Sequence, residues 1–397
     1  MTGRSAFLRQ TPVASRSLWM MLFLGLFPGC SLADSEETED RVSSRSYKGH
    51  EDDTDANNLV GVYPSILGTR LDDCQTCHSG KIEDGRLAGS SCDNCHDLLL
   101  HGTGHSALET LNPFGRDYLQ AGRSKGALES IEERDSDGDG FSNEEEVSAG
   151  RYPGSERSRP GQAVANTLTV TLEVLRAAPP QSQFMLVNNT QQQLDDYITY
   201  KGVTVEDLLD AQDINLAGAT GLTLIAPDGY IKSLPIEYVR KAFPQALFYS
   251  GLDTRTLGAD CGFVTYPANI PDGVSDGSPL SGEYRLMLGH ERNGVSLDPA
   301  SLNVTEGRIV GEGPLRIVVP QEVPGMPDRG SRFSPSDCGD GYDFREDADH
   351  NAGSMVRGVI AIRIDPMPVG VEEFDYMNGG WAYVNAGQII LYGHGIG

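Results

Sequence analysis

Cys74-Gln75-Thr76-Cys77-His78 and Cys92-Asp93-Asn94-Cys95-His96 decide how this chain is read, the second beginning 18 residues after the first. Two thiols three positions apart can each bond one vinyl group of the same haem. A His directly after the second thiol then lies under the iron as its proximal ligand. Two Cys pairs could instead supply four thiolates to zinc, or form a thiol-redox couple. Neither explains a His after both pairs. The spacing therefore predicts two covalent c-type haems, one on Cys74 and Cys77 with His78 below the iron, the other on Cys92 and Cys95 with His96.

The far side of each iron ordinarily takes His or Met. No Met lies between Met21 and Met185, whereas His50, His101 and His105 stand near the motifs. Bis-His ligation is expected, with His105 and His101 ahead of His50; solvated loop histidines are the alternative. His101 follows His96 so closely that it more readily reaches the first haem. Bis-His ligation implies lower potentials than His/Met, and hence electron carrying rather than oxygen binding.

Outward from the haem motifs, Asp135-Ser136-Asp137-Gly138-Asp139-Gly140-Phe141-Ser142-Asn143-Glu144-Glu145-Glu146 fits a twelve-position EF-hand-type calcium loop. Asp135, Asp137 and Asp139 take positions 1, 3 and 5, and Gly140 the sharp turn at 6. Phe141 offers a carbonyl at 7, Asn143 stands at 9, and Glu146 supplies the two-oxygen ligand at 12. Hard carboxylate oxygens suit Ca²⁺. No partner loop exists, so a structural clip is expected rather than a sensor. Ala127 to Arg134 reads as the entering helix and Glu144 to Ala149 as the leaving one. Asn112-Pro113-Phe114-Gly115 reads as a turn, with Phe114 packing on haem.

Haem attachment of this kind happens outside the cytoplasm, and the N-terminus agrees. Arg4, Arg9 and Arg16 precede the apolar run Leu18 to Phe27, a secretory signal too short to anchor the chain. Phe27-Pro28-Gly29-Cys30 resembles a bacterial lipobox, which implies acylation of Cys30 and a lipid anchor in the envelope, in the outer membrane by preference. Ser31-Leu32-Ala33 is the rival, an ordinary cleavage site releasing a periplasmic or extracellular protein. Residues 1–30 are read as signal and lipobox, 31–60 as an acidic tether, 61–157 as the diheme and calcium unit, and 162–397 as a second domain. Between Asp34 and Asn58 stand nine acids and three bases, a composition that buries too little apolar surface to order itself. The whole chain carries 57 Asp+Glu against 31 Lys+Arg, a net of −26. That balance excludes a phosphate-reading nucleic-acid binder and docking on an anionic membrane surface. No apolar run reaches the length of a spanning helix.

The C-terminal half alternates differently. Leu168, Val170, Leu172 and Val174 read as one half-buried strand. Further strands are expected at 221–226, 230–234, 284–288, 315–319, 359–364 and 381–391, the last bent into a hairpin at Asn385-Ala386-Gly387. Thr204 and Asp207 form a capping box that opens a short helix through Leu209, and Pro235 opens another to Phe243. The fold class expected is multidomain: a small helical and loop-rich cytochrome unit, then a strand-dominated α+β domain. The acidic segment Asp337 to Asn351 reads as a solvated loop, with a second metal site the alternative; His290 and His394 stand isolated. Cys261 and Cys338 are the thiols left after the haems and Cys30, and in an oxidising compartment they are expected to pair. Closing 77 residues of chain would contribute roughly 4 kcal/mol in the chain-entropy model.

The stretches Gly202 to Leu209, Ala226-Pro227-Asp228-Gly229-Tyr230 and Gly313 to Pro320 resemble the cofactor-binding domain of sulfite-oxidase-type molybdopterin enzymes. That family places its molybdenum-ligating Cys before the first stretch, and here no Cys lies between Cys95 and Cys261. The resemblance implies the fold without the metal chemistry. With the two haem motifs, Gly311-Glu312-Gly313-Pro314 resembles the signature of bacterial GEGP motif-containing diheme proteins, over nearly the whole mature chain. The function expected is an exported diheme c-type cytochrome carrying electrons between redox proteins of the envelope, with Ca²⁺ as a structural ion. The alternatives are an oxidoreductase whose C-terminal domain binds a substrate or a molybdopterin-like cofactor, and an envelope binding or assembly module. No nucleophile–base constellation adds a reaction, so a non-enzymatic carrier is favoured.

Overall fold

The computed structural model describes residues 54–72, 76–77, 81–83, 86–88, 111–190, 194–227, 230–250, 262–268, 270, 273–303, 308–330 and 344–397. Among the described residues before position 162 the α-helices are α1 (Thr54–Val62), α2 (Pro113–Ala121), α3 (Lys125–Ser130) and α4 (Asn143–Ser148). Each of the last three starts on a residue built to cap. Asn112, Ser124 and Ser142 accept from backbone amides of the first turn, and Pro113 sits where its missing N–H costs nothing. Asn112-Pro113-Phe114-Gly115 is therefore a helix start rather than a turn. The entering helix ends at Ser130, short of the expected Arg134.

A small apolar cluster holds the unit: Leu59, Tyr63, Ile66, Leu71, Phe114, Tyr118, Ala127, Leu128, Ile131 and Val147, with Cys77 packed against it. The composition of 31–60 predicts an unordered tether, yet α1 begins at Thr54, inside it. Leu59 of α1 enters the cluster, and Asp55 accepts from Tyr118 Oη at 2.9 Å and pairs with Arg123. Long-range contacts order residues whose own composition would not.

From residue 163 on, the elements of the two larger sheets and their neighbours are β1 (Ala163–Val164), β2 (Thr167–Thr171), α5 (Leu172–Ala177), β3 (Gln181–Val187), β4 (Asp195–Thr204), α6 (Val205–Ala211), β5 (Gly221–Ile225), β6 (Ile231–Pro235), β7 (Val264–Thr265), β8 (Met287–Arg292), β9 (Val295–Ser296), β10 (Arg316–Val318), β11 (Ala361–Asp365), β12 (Val371–Glu372), α7 (Tyr376–Ala386) and β13 (Gln388–Gly393). One sheet has the order β2-β13-β11-β5-β6, antiparallel except for β13 beside β11. The other is built on β4, which pairs β3 along its length and β8 and β7 on its opposite edge; β8 in turn pairs β9 and β10. The description is a strand-dominated α+β fold. No described helix is long and apolar enough to cross a membrane.

Period-two alternation divides the first sheet between two cores. Leu222, Leu224, Ile362, Ile364, Ile389 and Leu391 enter the large core shared with the second sheet. Ile225, Ala361, Ile390 and Tyr392 face a smaller cluster that includes Val384 of α7. Two expected strands are corrected here. Leu172 and Val174 leave the strand for α5, because the Thr171 side chain accepts from Val174 N and caps a helix. Residues 381–386 are helical, and Val384 covers the sheet's second face. The helix expected after Pro235 is only a 3₁₀ turn, Ile236–Val239. Gly202 lets β4 approach β8: a Cβ there would lie 2.1 Å from the Leu288 carbonyl oxygen. Gly202→Ala should therefore cost about 1–3 kcal/mol by overpacking, read as a lowered urea midpoint at unchanged m.

Candidate metal centre and haem-attachment segment

The loop from Asp135 to Glu146 is held open by its own amides. Asp135 Oδ1 accepts from Gly138 N at 2.7 Å and Asp139 N at 3.1 Å, and its Oδ2 from Gly140 N at 2.9 Å. Asp137 Oδ1 accepts from Asp139 N at 3.1 Å, and Asp139 Oδ1 from Phe141 N at 3.0 Å. Gly140 turns the chain at φ +102°, a left-handed conformation that favours glycine. α4 then carries the last position inward. Its capping box joins Ser142 and Glu145, and Glu146 is completely buried.

One carboxylate oxygen from each of Asp135, Asp137 and Asp139 lies within 4.8 Å of the other two. Around them, Asp137 Oδ2, Asp139 Oδ2, Asn143 Oδ1 and both carboxylate oxygens of Glu146 are buried without a hydrogen-bond partner. Asn143 spends its amide on the Ile131 carbonyl, at 2.7 Å, and on Ser136 Oγ, at 3.0 Å. Arg159 Nε stands 3.6 Å from Asp139 Oδ2. Burial, reinforced by the charges of Asp137, Asp139 and Asp135, pushes the Glu146 carboxyl up to about 9. Burial and Asp139 push Asp137 up to about 6. Unpaired oxygens of this kind are costly in a protein interior. Chemically, the set can chelate a hard divalent cation, with Asp135, Asp137, Asp139, Phe141 O, Asn143 and Glu146 as the residues that could hold it.

Of the haem motifs, Thr76 and Cys77 are described. Thr76 Oγ1 donates to Leu71 O at 2.8 Å, Asn112 N donates to Cys77 O at 2.9 Å, and Asn112 Nδ2 to Thr76 O at 3.0 Å. α2 lies so close that a Cβ on Gly115 would sit 2.4 Å from Cys77 O. Phe114, fully buried, is in the cluster that Cys77 packs against. Cys74, His78, Cys92, Cys95, His96, His50, His101 and His105 lie outside the described residues, as do Cys30, Cys261 and Cys338. Asn112→Ala would remove a cap and leave the Thr76 carbonyl short of a donor. A loss of about 2–3 kcal/mol is expected, read as a lower thermal midpoint.

Gly311-Glu312-Gly313-Pro314, expected as a tight turn, is instead a segment bridged to Pro299 through Gly313, with Glu312 in a charged knot. A Cβ on Gly311 would meet Pro299 O at 2.5 Å, and one on Gly313 would meet Leu297 Cβ at 2.6 Å. Glu312 accepts from Arg292, lies 2.6 Å from Arg316 Nη1, and accepts from Tyr200 Oη at 3.2 Å. Burial raises its carboxyl, but Arg316 and Arg292 more than offset this and hold it below the ordinary range. A folded value below the unfolded one means stability that is present above the unfolded value and lost as pH falls through and below it. Glu312→Gln should therefore cost roughly 3 kcal/mol at neutral pH. The gap from the wild type should narrow below about pH 4, as read from urea unfolding at several pH values.

Of the acidic stretch, residues 337–343 lie outside the described residues, and Glu346 and Asp347 are exposed. His350 is 3.2 Å from the buried carboxylate of Asp328, and Asp349 Oδ2 accepts from Val323 N at 3.1 Å. His394 Nε2 lies 2.7 Å from Ala217 O, and His290 is buried. An open polar groove on the first sheet is lined by Arg157, Lys232, Ser233, Arg363 and Asp365 among others. Sequence reasoning missed Glu372. It is buried in β12, accepts from Arg70 Nη2 at 2.5 Å and from Ser158 Oγ at 2.8 Å, and pairs with Arg151. Its only local signal is an acid in a short strand, which carries no information about partners hundreds of positions away. Compared with known proteins, the chain matches no family model and no curated protein.

Proposed function

We propose that this protein is an exported diheme c-type cytochrome that carries electrons between redox proteins of the cell envelope, with calcium as a structural ion. The observation that carries the reading is the pair of Cys-x-x-Cys-His pentapeptides within one small unit. Cys74 and Cys77 would hold one haem with His78 on its iron, and Cys92 and Cys95 the other with His96; His105, His101 and His50 are the candidates for the far faces. Bound haem supplies the one-electron chemistry. The chain's own contribution is to fix the attachment segment, as Asn112 does for Thr76 and Cys77, and to pack Phe114 and Leu71 against it. The small apolar cluster among the described residues supports the same reading, since haems and an ion would add to that core.

Calcium would offset two of the four charges of Asp135, Asp137, Asp139 and Glu146 and meet oxygens that lack other partners. A lipid on Cys30 would tether the protein to the envelope, and Gly311 to Pro314 together with the two haem motifs would place the chain among the GEGP motif-containing diheme proteins. In a second reading the C-terminal domain binds a substrate whose electrons pass to the haems, and the open polar groove lined by Arg157, Lys232 and Ser233 would be where that substrate is sought. The test is to purify the mature protein and count haems by pyridine haemochrome, with calcium and molybdenum measured on the same sample. Two haems, calcium and no molybdenum are expected; fewer than two haems would refute the reading. Saturating calcium at about 100 times its Kd should stabilise the wild type by about 2.7 kcal/mol. Glu146→Gln should remove that gain while retaining the haems, which thermal melts with and without chelator would show.

A further inference from the structure

Glu372 lies far from the calcium loop in sequence, yet two legs run from one to the other. The first starts at position 12. The Glu146 carbonyl accepts from Arg151 N at 2.8 Å. The Arg151 side chain then pairs with Glu372 Oε2 and donates to Gln162 O at 2.7 Å. The second starts at position 5. Arg159 Nε stands 3.6 Å from Asp139 Oδ2, and the preceding residue, Ser158, donates to Glu372 Oε1 at 2.8 Å while accepting from Tyr152 N at 3.0 Å.

Glu372 also reaches the haem-attachment side. Arg70, four residues before Cys74, donates to Glu372 Oε1 at 2.5 Å and lies 3.5 Å from Asp375 Oδ2. Its guanidinium stacks 4.2 Å over the Tyr152 ring, and Tyr152 Oη donates to the Arg70 carbonyl at 3.2 Å. The strand holding Glu372 is itself paired: β12 runs parallel to β1, and Ala165 N donates to Glu372 O at 2.8 Å. One carboxylate of the C-terminal domain thus fastens the entry to the first haem motif, the exit of the acidic loop and the linker between the halves.

We propose that Glu372 is a positioning residue for the calcium site, so that calcium binding and docking of the C-terminal domain on the haem-bearing unit reinforce each other. The proposal rests on the calcium reading of the 135–146 loop. Its physical basis is linkage. A docked Glu372 holds the Arg151 side chain, and Arg151, by donating its backbone N–H to the Glu146 carbonyl, holds the last turn of α4 in the position that delivers Glu146. An ion holding Glu146 and Asp139 in place must then favour the docked arrangement by the same factor.

The test is calcium titration of the full haem-loaded chain by calorimetry, for the wild type, Glu372→Gln and Gly202→Ala. Glu372→Gln should weaken calcium about fivefold or more, the lower end of ordinary coupling. Gly202→Ala, a destabilising change in the other sheet, should leave the affinity unchanged. In the wild type, chelation should raise hydrogen exchange at residues 371–376 and 70–72, and Glu372→Gln should abolish that dependence. If Glu372→Gln does not fold, Arg151→Gln carries the same expectations. Wild-type affinity in these variants, or equal weakening by Gly202→Ala, would overturn the coupling and leave the calcium site standing. A wild type that binds no calcium would overturn the calcium reading itself, and the coupling with it.

Discussion

Glu146 is buried with neither carboxylate oxygen hydrogen-bonded, and the charges of three aspartates add to the cost of ionising it. The apolar cluster among the described residues of this region is small, and burial of apolar surface is what must offset that cost. The rest of the N-terminal unit is arranged around it. Loop amides hold the aspartates in place, the Ser142 cap directs α4 inward, and Asn143 ties the loop back to the Ile131 carbonyl. Such an arrangement gathers carboxylates at one point, and Arg159 Nε stands 3.6 Å from one of them, Asp139 Oδ2.

How much of this could be read from residues alone depended on how local the cause was. The loop was legible because its ligand spacing, its turn glycine and its cap all fall within twelve positions. The helix at Val205 was legible for the same reason: Thr204 Oγ1 accepts from Asp207 N three residues on. The strands of the first sheet were legible where both cores demand apolar residues, as along Gly221–Ile225 and Ala361–Asp365. Failures came where alternation continued past a cap. Leu172 and Val174 keep the period of the strand before them, but the Thr171 hydroxyl starts a helix. At Trp381–Ala386 the aromatic and β-branched residues suggest a strand, yet the second face of the sheet needs a cover and the helix supplies it.

Causes that act across the chain left no trace in any window. Thr54–Asn58 reads as acidic tether, and only Tyr118 and Arg123 on later elements explain why Asp55 is ordered. Glu312 looks like a polar residue in a glycine turn until Arg292, Arg316 and Tyr200 are seen around it. The candidate site was legible as a list of ligand types, while the residues that hold the list in place were not.

The same asymmetry gives meaning to the acidic balance. A chain with 57 acids and 31 bases could scatter its cations over the surface to limit self-repulsion. Several are instead turned inward: Arg70 and Arg151 on Glu372, Arg292 and Arg316 on Glu312, and Arg363 on Asp365 and Glu373. Arginine suits this use, because its planar fork can meet two carboxylates at once and it keeps its charge when buried. Inward cations make joints between distant segments and leave the excess of acids outside. The acidic loop around Glu146 is the inverse case: carboxylates of Asp137, Asp139 and Glu146 hold buried oxygens without a hydrogen-bond partner, and Arg159 reaches only the edge of the set, 3.6 Å from Asp139 Oδ2.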